Sequence, residues 1–293
     1  MTLPRALSRQ GWSWWHGAGA VLACGLGVLA TFPAWADIYG IAVVDEESSH
    51  IFLVPIVAAW MVSVRRVRLL HCPPGGFIVG PALVALGWVL WSLGYRHAIQ
   101  SFWHGGAVLI VVGCVLTVLG KHVLFRFLPA FVVLAFLVPV PGTVRQEVSL
   151  PMQRWGAAAA QVVLETLGFE VEREGNLLSI NGLEVAIAEA CNGMRMVFAL
   201  VLVAYTFAYG MPLRNSVRLL VLLGSPLAAI GCNIVRLSVT VLLYGYADKP
   251  FADWFHDASG WLMLPVAFLM LMLVIKALRW ALIPVARFTL AYQ

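Results

Sequence analysis

Apolar residues run along this chain in long blocks, not at alternating or helical-surface spacing. Eight blocks stand out, at about 14–34, 50–64, 76–95, 102–120, 123–140, 193–211, 215–244 and 258–285. A helix needs roughly 20 apolar residues to cross the hydrocarbon core, and all but the short second block approach that length. Backbone in lipid must satisfy its polar groups internally, which leaves helices or closed barrels. Blocks this long and continuous specify helices, and the Pro and Gly inside them are tolerated there. The pattern predicts an all-α polytopic membrane protein of about eight transmembrane helices.

One stretch departs from it. After the helix stop Pro139-Val140-Pro141-Gly142, residues 147–168 mix Trp, Val and Leu with Ala157 to Ala160, which predicts a helix on the membrane surface. Short alternating runs follow, Glu170 to Glu174, Asn176 to Ile180 and Leu183 to Ile187, with turn pairs Gly175-Asn176 and Asn181-Gly182 between them. That is the signature of a small β-hairpin or meander. The expected organisation is a single transmembrane domain over 1–293 with a small extracytoplasmic α/β insert at 141–190. The insert delivers the chain to Ala190-Cys191-Asn192-Gly193, at the mouth of the sixth block. At the N-terminus, Arg5, Arg9 and Ala34-Trp35-Ala36 imitate a signal peptide, but the polytopic remainder makes 14–34 an uncleaved first helix.

Composition agrees. Hydrophobic residues make up 61% and charged residues 11% of the 293, against about 45–50% and about 25% in soluble domains. The net charge of +5 comes without basic runs interleaved with aromatics, so nucleic acid is not an expected partner. Five cysteines, at 24, 72, 114, 191 and 232, form no CxxC pair, and no helix carries histidines at ligand spacing. Neither a metal, another cofactor nor a disulfide framework is indicated.

The basic residues orient the chain. With the N-terminus in the cytoplasm, 12 of the 19 Lys and Arg fall on the cytoplasmic side, five outside, and Arg195 and Arg236 within helices. The positive-inside rule favours this arrangement. It predicts an inner-membrane protein with both termini cytoplasmic.

The same topology gathers chemistry at the outer boundary. Arg236 lies inside the seventh block, with Asn233 on its face. An intramembrane charge is a functional candidate, the competing reading being an arginine that snorkels to headgroups. Cys191 precedes the sixth helix, where the helix dipole and Arg195 favour a thiolate; an ordinary interfacial cysteine is the alternative. His256, flanked by Asp253 and Asp257, and His50, at the outer start of the second block, are the imidazoles at this depth, and either is equally a solvated histidine. A thiol, a base and guanidinium groups at one depth fit nucleophilic acyl transfer.

At these residues the sequence resembles the exosortase/archaeosortase family. The resemblance rests on Ala190-Cys191-Asn192-Gly193-Met194-Arg195, Asn233-Ile234-Val235-Arg236, the His256 loop, and Ser49-His50-Ile51-Phe52-Leu53-Val54-Pro55 followed by Arg65-Arg66. It implies a multipass cysteine protease or transpeptidase that cuts C-terminal sorting signals, a motif such as Pro-Glu-Pro, then a helix, then a basic tail, of secreted proteins at the outer face. It assigns the catalytic roles to Cys191, Arg236 and His256, leaving Arg195, Asn233 and His50 as substrate-binding or supporting residues. Asn192 stands where many members carry Ser. The implied partners are membrane-anchored proteins with a sorting helix, the bilayer, and a lipid or glycan acceptor, often beside exopolysaccharide production. Two other readings stay open: a transporter or flippase of lipid-linked polysaccharide precursors, with Arg236 on a phosphate, and an assembly factor without chemistry.

Overall fold

The computed structural model describes residues 11–74, 78–187 and 193–280. These are helical apart from one small sheet, and they fall into two compact units, Met1–Pro141 and Gly142–Tyr292.

In the first unit, the expected span at 14–34 is cut short. Helix α1 (Trp14–Ala30) and helix α2 (Phe32–Val44) meet at an 83° bend. Pro33, in the first turn of α2, has no N–H to give the carbonyl four residues back, so the helix cannot run through it. Thr31 fills the corner: its hydroxyl donates to the Gly27 carbonyl at 2.8 Å and accepts from Trp35 Nε1 at 3.0 Å. Residues read from sequence as an outer loop are therefore helix α2.

A 3-10 turn, Glu46–Phe52, leads into α3 (Leu53–Val64). Helices α4 (Val79–His97) and α5 (Gln100–Leu119) then pack backbone to backbone. Gly80, Gly87 and Gly94 recur every seven residues on α4, and Gly106 and Gly113 answer them on α5. A methyl on Gly87 would come within 2.8 Å of the Ile110 nitrogen, and one on Gly113 within 2.7 Å of the Val84 nitrogen. Small residues allow this approach in membrane helix pairs. The expected span at 123–140 is not one helix. It divides into α6 (Lys121–Arg126), α7 (Leu128–Val132) and a 3-10 turn, Val133–Leu137, with Pro129 in the first turn of α7.

The second unit opens with a helix where one was expected, α8 (Gly142–Thr166). The expected meander follows: β1 (Val171–Glu174), β2 (Leu177–Ile180) and β3 (Leu183–Ala186), antiparallel in the order β1-β2-β3. Both turns have two residues, as the pairs Glu174↔Leu177 and Ile180↔Leu183 show. Asn181 and Gly182 both have positive φ, 52° and 76°, which matches the twist of the flanking strands. Val171, Leu178, Ile180 and Ile187 turn one face onto Ala157, Ala160 and Leu164 of α8 and onto Leu237 and Val241 of α10 (Asn215–Tyr246). Two amides fasten the turns. Asn176 Nδ2 reaches Gln153 Oε1 at 3.2 Å and the Ile187 carbonyl at 3.0 Å, and Asn181 Nδ2 reaches the Gly245 carbonyl at 2.9 Å.

Helices α9 (Met194–Gly210) and α11 (Lys249–Trp280) complete the unit beside α10. The outward side of α10 is apolar: Leu219, Leu223, Leu227, Val235 and Val239 are all exposed. In water that would be a liability; in a bilayer it is the contact surface. Among the described residues three helical stretches are long and apolar enough to cross a membrane, or five if each of two bent pairs is one span. The sequence pattern counts about eight.

Candidate functional site

One side of α10 carries Asn233, Arg236, Thr240 and Tyr244, spaced three, four and four residues apart, so that they stack along a single face. Three of them are inside the protein: Asn233, Arg236 and Thr240 are 4%, 5% and 4% exposed. Burying a guanidinium is costly unless something compensates the charge. Among the described residues no carboxylate lies within ion-pair distance of Arg236, and its Nε has no hydrogen-bond partner.

Two close approaches define what surrounds this face. Gly193 begins α9 in the left-handed region, at φ 85°, and a methyl there would lie 2.8 Å from Cγ and 2.9 Å from Nδ2 of Asn233. The start of α9 therefore rests directly on the Asn233 carboxamide. On the other side, a methyl at Gly260 of α11 would lie 3.9 Å from Arg236 Nη1. His256 is four residues before Gly260, one turn along the same face of α11. Guanidinium and imidazole thus approach a common strip of that helix.

His256 also closes a cavity of about 250 Å³ lined by Glu184 to Ile187, by Leu237, Thr240, Val241 and Tyr244, and by the imidazole itself. The Thr240 hydroxyl is buried in this lining without a partner among the described residues. Tyr244 Oη donates to Asp253 Oδ1 at 2.7 Å, which ties the C-terminal end of α10 to the second turn of α11. The Ser259 hydroxyl donates to the His256 carbonyl at 3.0 Å.

Of the residues singled out from sequence, the structure thus brings Asn233, Arg236 and His256 together. Arg195 sits in the first turn of α9, two residues after Gly193, and is partly buried. Cys191 lies outside the described residues. His50 belongs to the first unit, where it is buried in the 3-10 turn with Nδ1 3.0 Å from the Glu47 carbonyl and its ring edge-on to Phe136 at 6.5 Å.

A family model described as Transmembrane exosortase (Exosortase_EpsH) matches residues 35–273. The chain belongs to the transmembrane exosortase family. The exosortase match runs from α2 into α11 and encloses every candidate residue named above. Neither the curated proteins nor the solved structures gave a match.

Sequence reasoning missed Thr240 and Tyr244, although counting four and eight residues on from Arg236 along the helix finds both. It also missed His104, fully buried in α5 of the first unit, whose Nε2 lies 2.9 Å from Asp37 Oδ2 on α2. That pair joins a histidine in an apolar block to a residue read as loop, and no spacing rule connects them.

Proposed function

We propose that this exosortase is a membrane-embedded cysteine protease or transpeptidase, and that Cys191 is its nucleophile. The observation that carries the reading is the seat of Gly193 on Asn233, three residues from the buried Arg236. Cys191 stands two residues before Gly193 in the sequence, and the reading brings its thiol to that polar face. The Cys191 thiolate attacks the scissile carbonyl of a substrate tail, and Arg236 holds the tetrahedral oxyanion. Removing one oxyanion donor from such a site costs roughly 10²–10³ in rate. His256 takes the thiol proton and returns it to the leaving amine as the C–N bond breaks, which leaves a thioester. Water, or the amine of an acceptor, then attacks the thioester and restores the thiol. Arg195 favours the thiolate from the first turn of α9.

The substrates are membrane-anchored proteins whose C-terminal motif, such as Pro-Glu-Pro, precedes a helix and a basic tail. The acceptor is water, a lipid or a glycan. The chain crosses the inner membrane about eight times, with its termini in the cytoplasm and the site facing outward.

The test is a reporter ending in motif, helix and basic tail, expressed with the enzyme. Cys191→Ala and Cys191→Ser abolish processing while the protein stays abundant. Processing that survives either change refutes the reading. A flippase would instead tolerate Cys191→Ser and fail with Arg236→Ala.

A further inference from the structure

The edge of the small sheet offers a second kind of recognition. In an antiparallel ladder, bonded and non-bonded pairs alternate. The Ile187 N–H donates to the Asn176 carbonyl at 2.9 Å, which makes that pair a bonded one. Stepping by two along the register, Leu178↔Val185 and Ile180↔Leu183 are bonded as well, whereas Leu177↔Ala186 and Ser179↔Glu184 are not. The N–H and C=O groups of Glu184 and Ala186 therefore face away from β2. Among the described residues β3 is the last strand of the sheet, and no strand pairs with that side.

Those outward groups do not face open solvent alone. Glu184, Val185, Ala186 and Ile187 give one wall of the 250 Å³ cavity, which Leu237, Thr240, Val241, Tyr244 and His256 also line. The buried Thr240 hydroxyl in the same lining has no partner among the described residues. The cavity lining thus combines a strand wall whose backbone donors and acceptors are not used by β2 with an imidazole and a buried hydroxyl that has no partner among the described residues. An occupant that satisfies the strand wall must itself carry alternating donors and acceptors along an extended line. A polypeptide backbone does this and a lipid tail does not.

We propose that a substrate's extended segment binds as a fourth strand along β3, with its backbone paired to Glu184 and Ala186 and its end at His256. This deepens the proposed function, on which it rests for the nature of the substrate. Added strands gain affinity from main-chain bonds, and side chains then choose by fit. Only every second residue of the incoming strand points its N–H at β3. Proline or an N-methylated residue is tolerated at the alternate positions.

The test uses the full-length protein carrying Cys191→Ala, so that binding is read without chemistry. The probe is a fluorescent synthetic peptide with the reporter's motif, N-methylated at one residue at a time. Affinity falls about 3- to 10-fold at every second position, the loss of one main-chain hydrogen bond, and holds between them. A uniform loss, or none, overturns the proposal. Ala186→Pro removes one outward N–H without touching a bond to β2. It weakens the peptide by a similar factor while the thermal midpoint holds. A photo-crosslinking residue at 186 captures the peptide; capture of the chain's own terminus instead overturns the proposal. If binding shows the two-residue period but reporter processing survives Cys191→Ala, the strand site stands and the cysteine chemistry falls.

Discussion

Gly193→Ala tests the junction on which the proposed site depends. The new methyl meets two separate penalties. At φ 85° an L-residue is in the left-handed region, which costs roughly 1–2 kcal/mol. The methyl would also stand 2.8–3.0 Å from Cγ, Nδ2 and Cβ of Asn233, a short side chain that is 4% exposed and cannot swing aside. Overpacking of that kind costs typically ~1–3 kcal/mol. A Gly-to-Ala change recovers about 0.4–1 kcal/mol by restricting the unfolded chain. The net destabilisation is about 2–4 kcal/mol, concentrated where α9 begins. Thermal midpoints in detergent and reporter processing read the two consequences. Gly193→Ala lowers the midpoint and reduces processing at least about tenfold, since tenfold is only 1.4 kcal/mol of misplacement. Asn233→Ala in the same chain removes Cγ and Nδ2, so the double variant regains part of the midpoint although the backbone penalty stays. If Gly193→Ala melts and processes like the parent, the Gly193–Asn233 seat does not hold the site, and the proposed role of Cys191 loses its support.

Arg236→Met separates charge from packing: an apolar chain of similar length keeps or raises the thermal midpoint, because it ends a buried charge, while processing falls by about 10²–10³. A midpoint that collapses instead marks Arg236 as structural. Gly87→Ala places a methyl 2.8 Å from the Ile110 nitrogen; backbone cannot yield as a side chain does, so the midpoint falls by the equivalent of about 1–3 kcal/mol, and Gly25→Ala, which meets nothing within 4 Å, holds or slightly raises it. Burial pushes the Cys72 thiol up, with Arg126 partly opposing. The unfolded chain therefore loses that proton first, and stability falls as pH rises past about 8.5, the ordinary thiol value. Cys72→Val flattens the alkaline arm of a midpoint-against-pH curve, and an unchanged curve refutes the assignment.

What was legible in the sequence is what local chemistry decides. The meander could be read strand by strand because alternation and two glycine-containing turn pairs specify it within 17 residues, Val171 to Ile187. Helix α8 was legible for the same reason, starting a few residues earlier than expected. The bend at Thr31 was not. Hydropathy stays high through Pro33, and proline alone does not end a membrane helix; the corner also needs the Thr31 hydroxyl and Trp35. The division of 123–140 at Phe127 and Pro129 was hidden in the same way. In the site, Arg236 stood out because a charge is rare among apolar neighbours, and His256 because its imidazole lies between Asp253 and Asp257. Their approach through Gly260 did not, since a missing side chain leaves no mark on hydropathy, and the three stretches are joined only by tertiary packing.

The heptad of glycines on α4 has a mechanical meaning. With backbone pressed to backbone, sliding α4 along α5 by even one turn would drive Leu83 or Val84 into a gap that admits only hydrogen. The pair is locked in register and moves as a single stiff plank. Any give in the first unit is therefore confined to its jointed parts, the Thr31 corner and the broken run from Lys121 to Leu137.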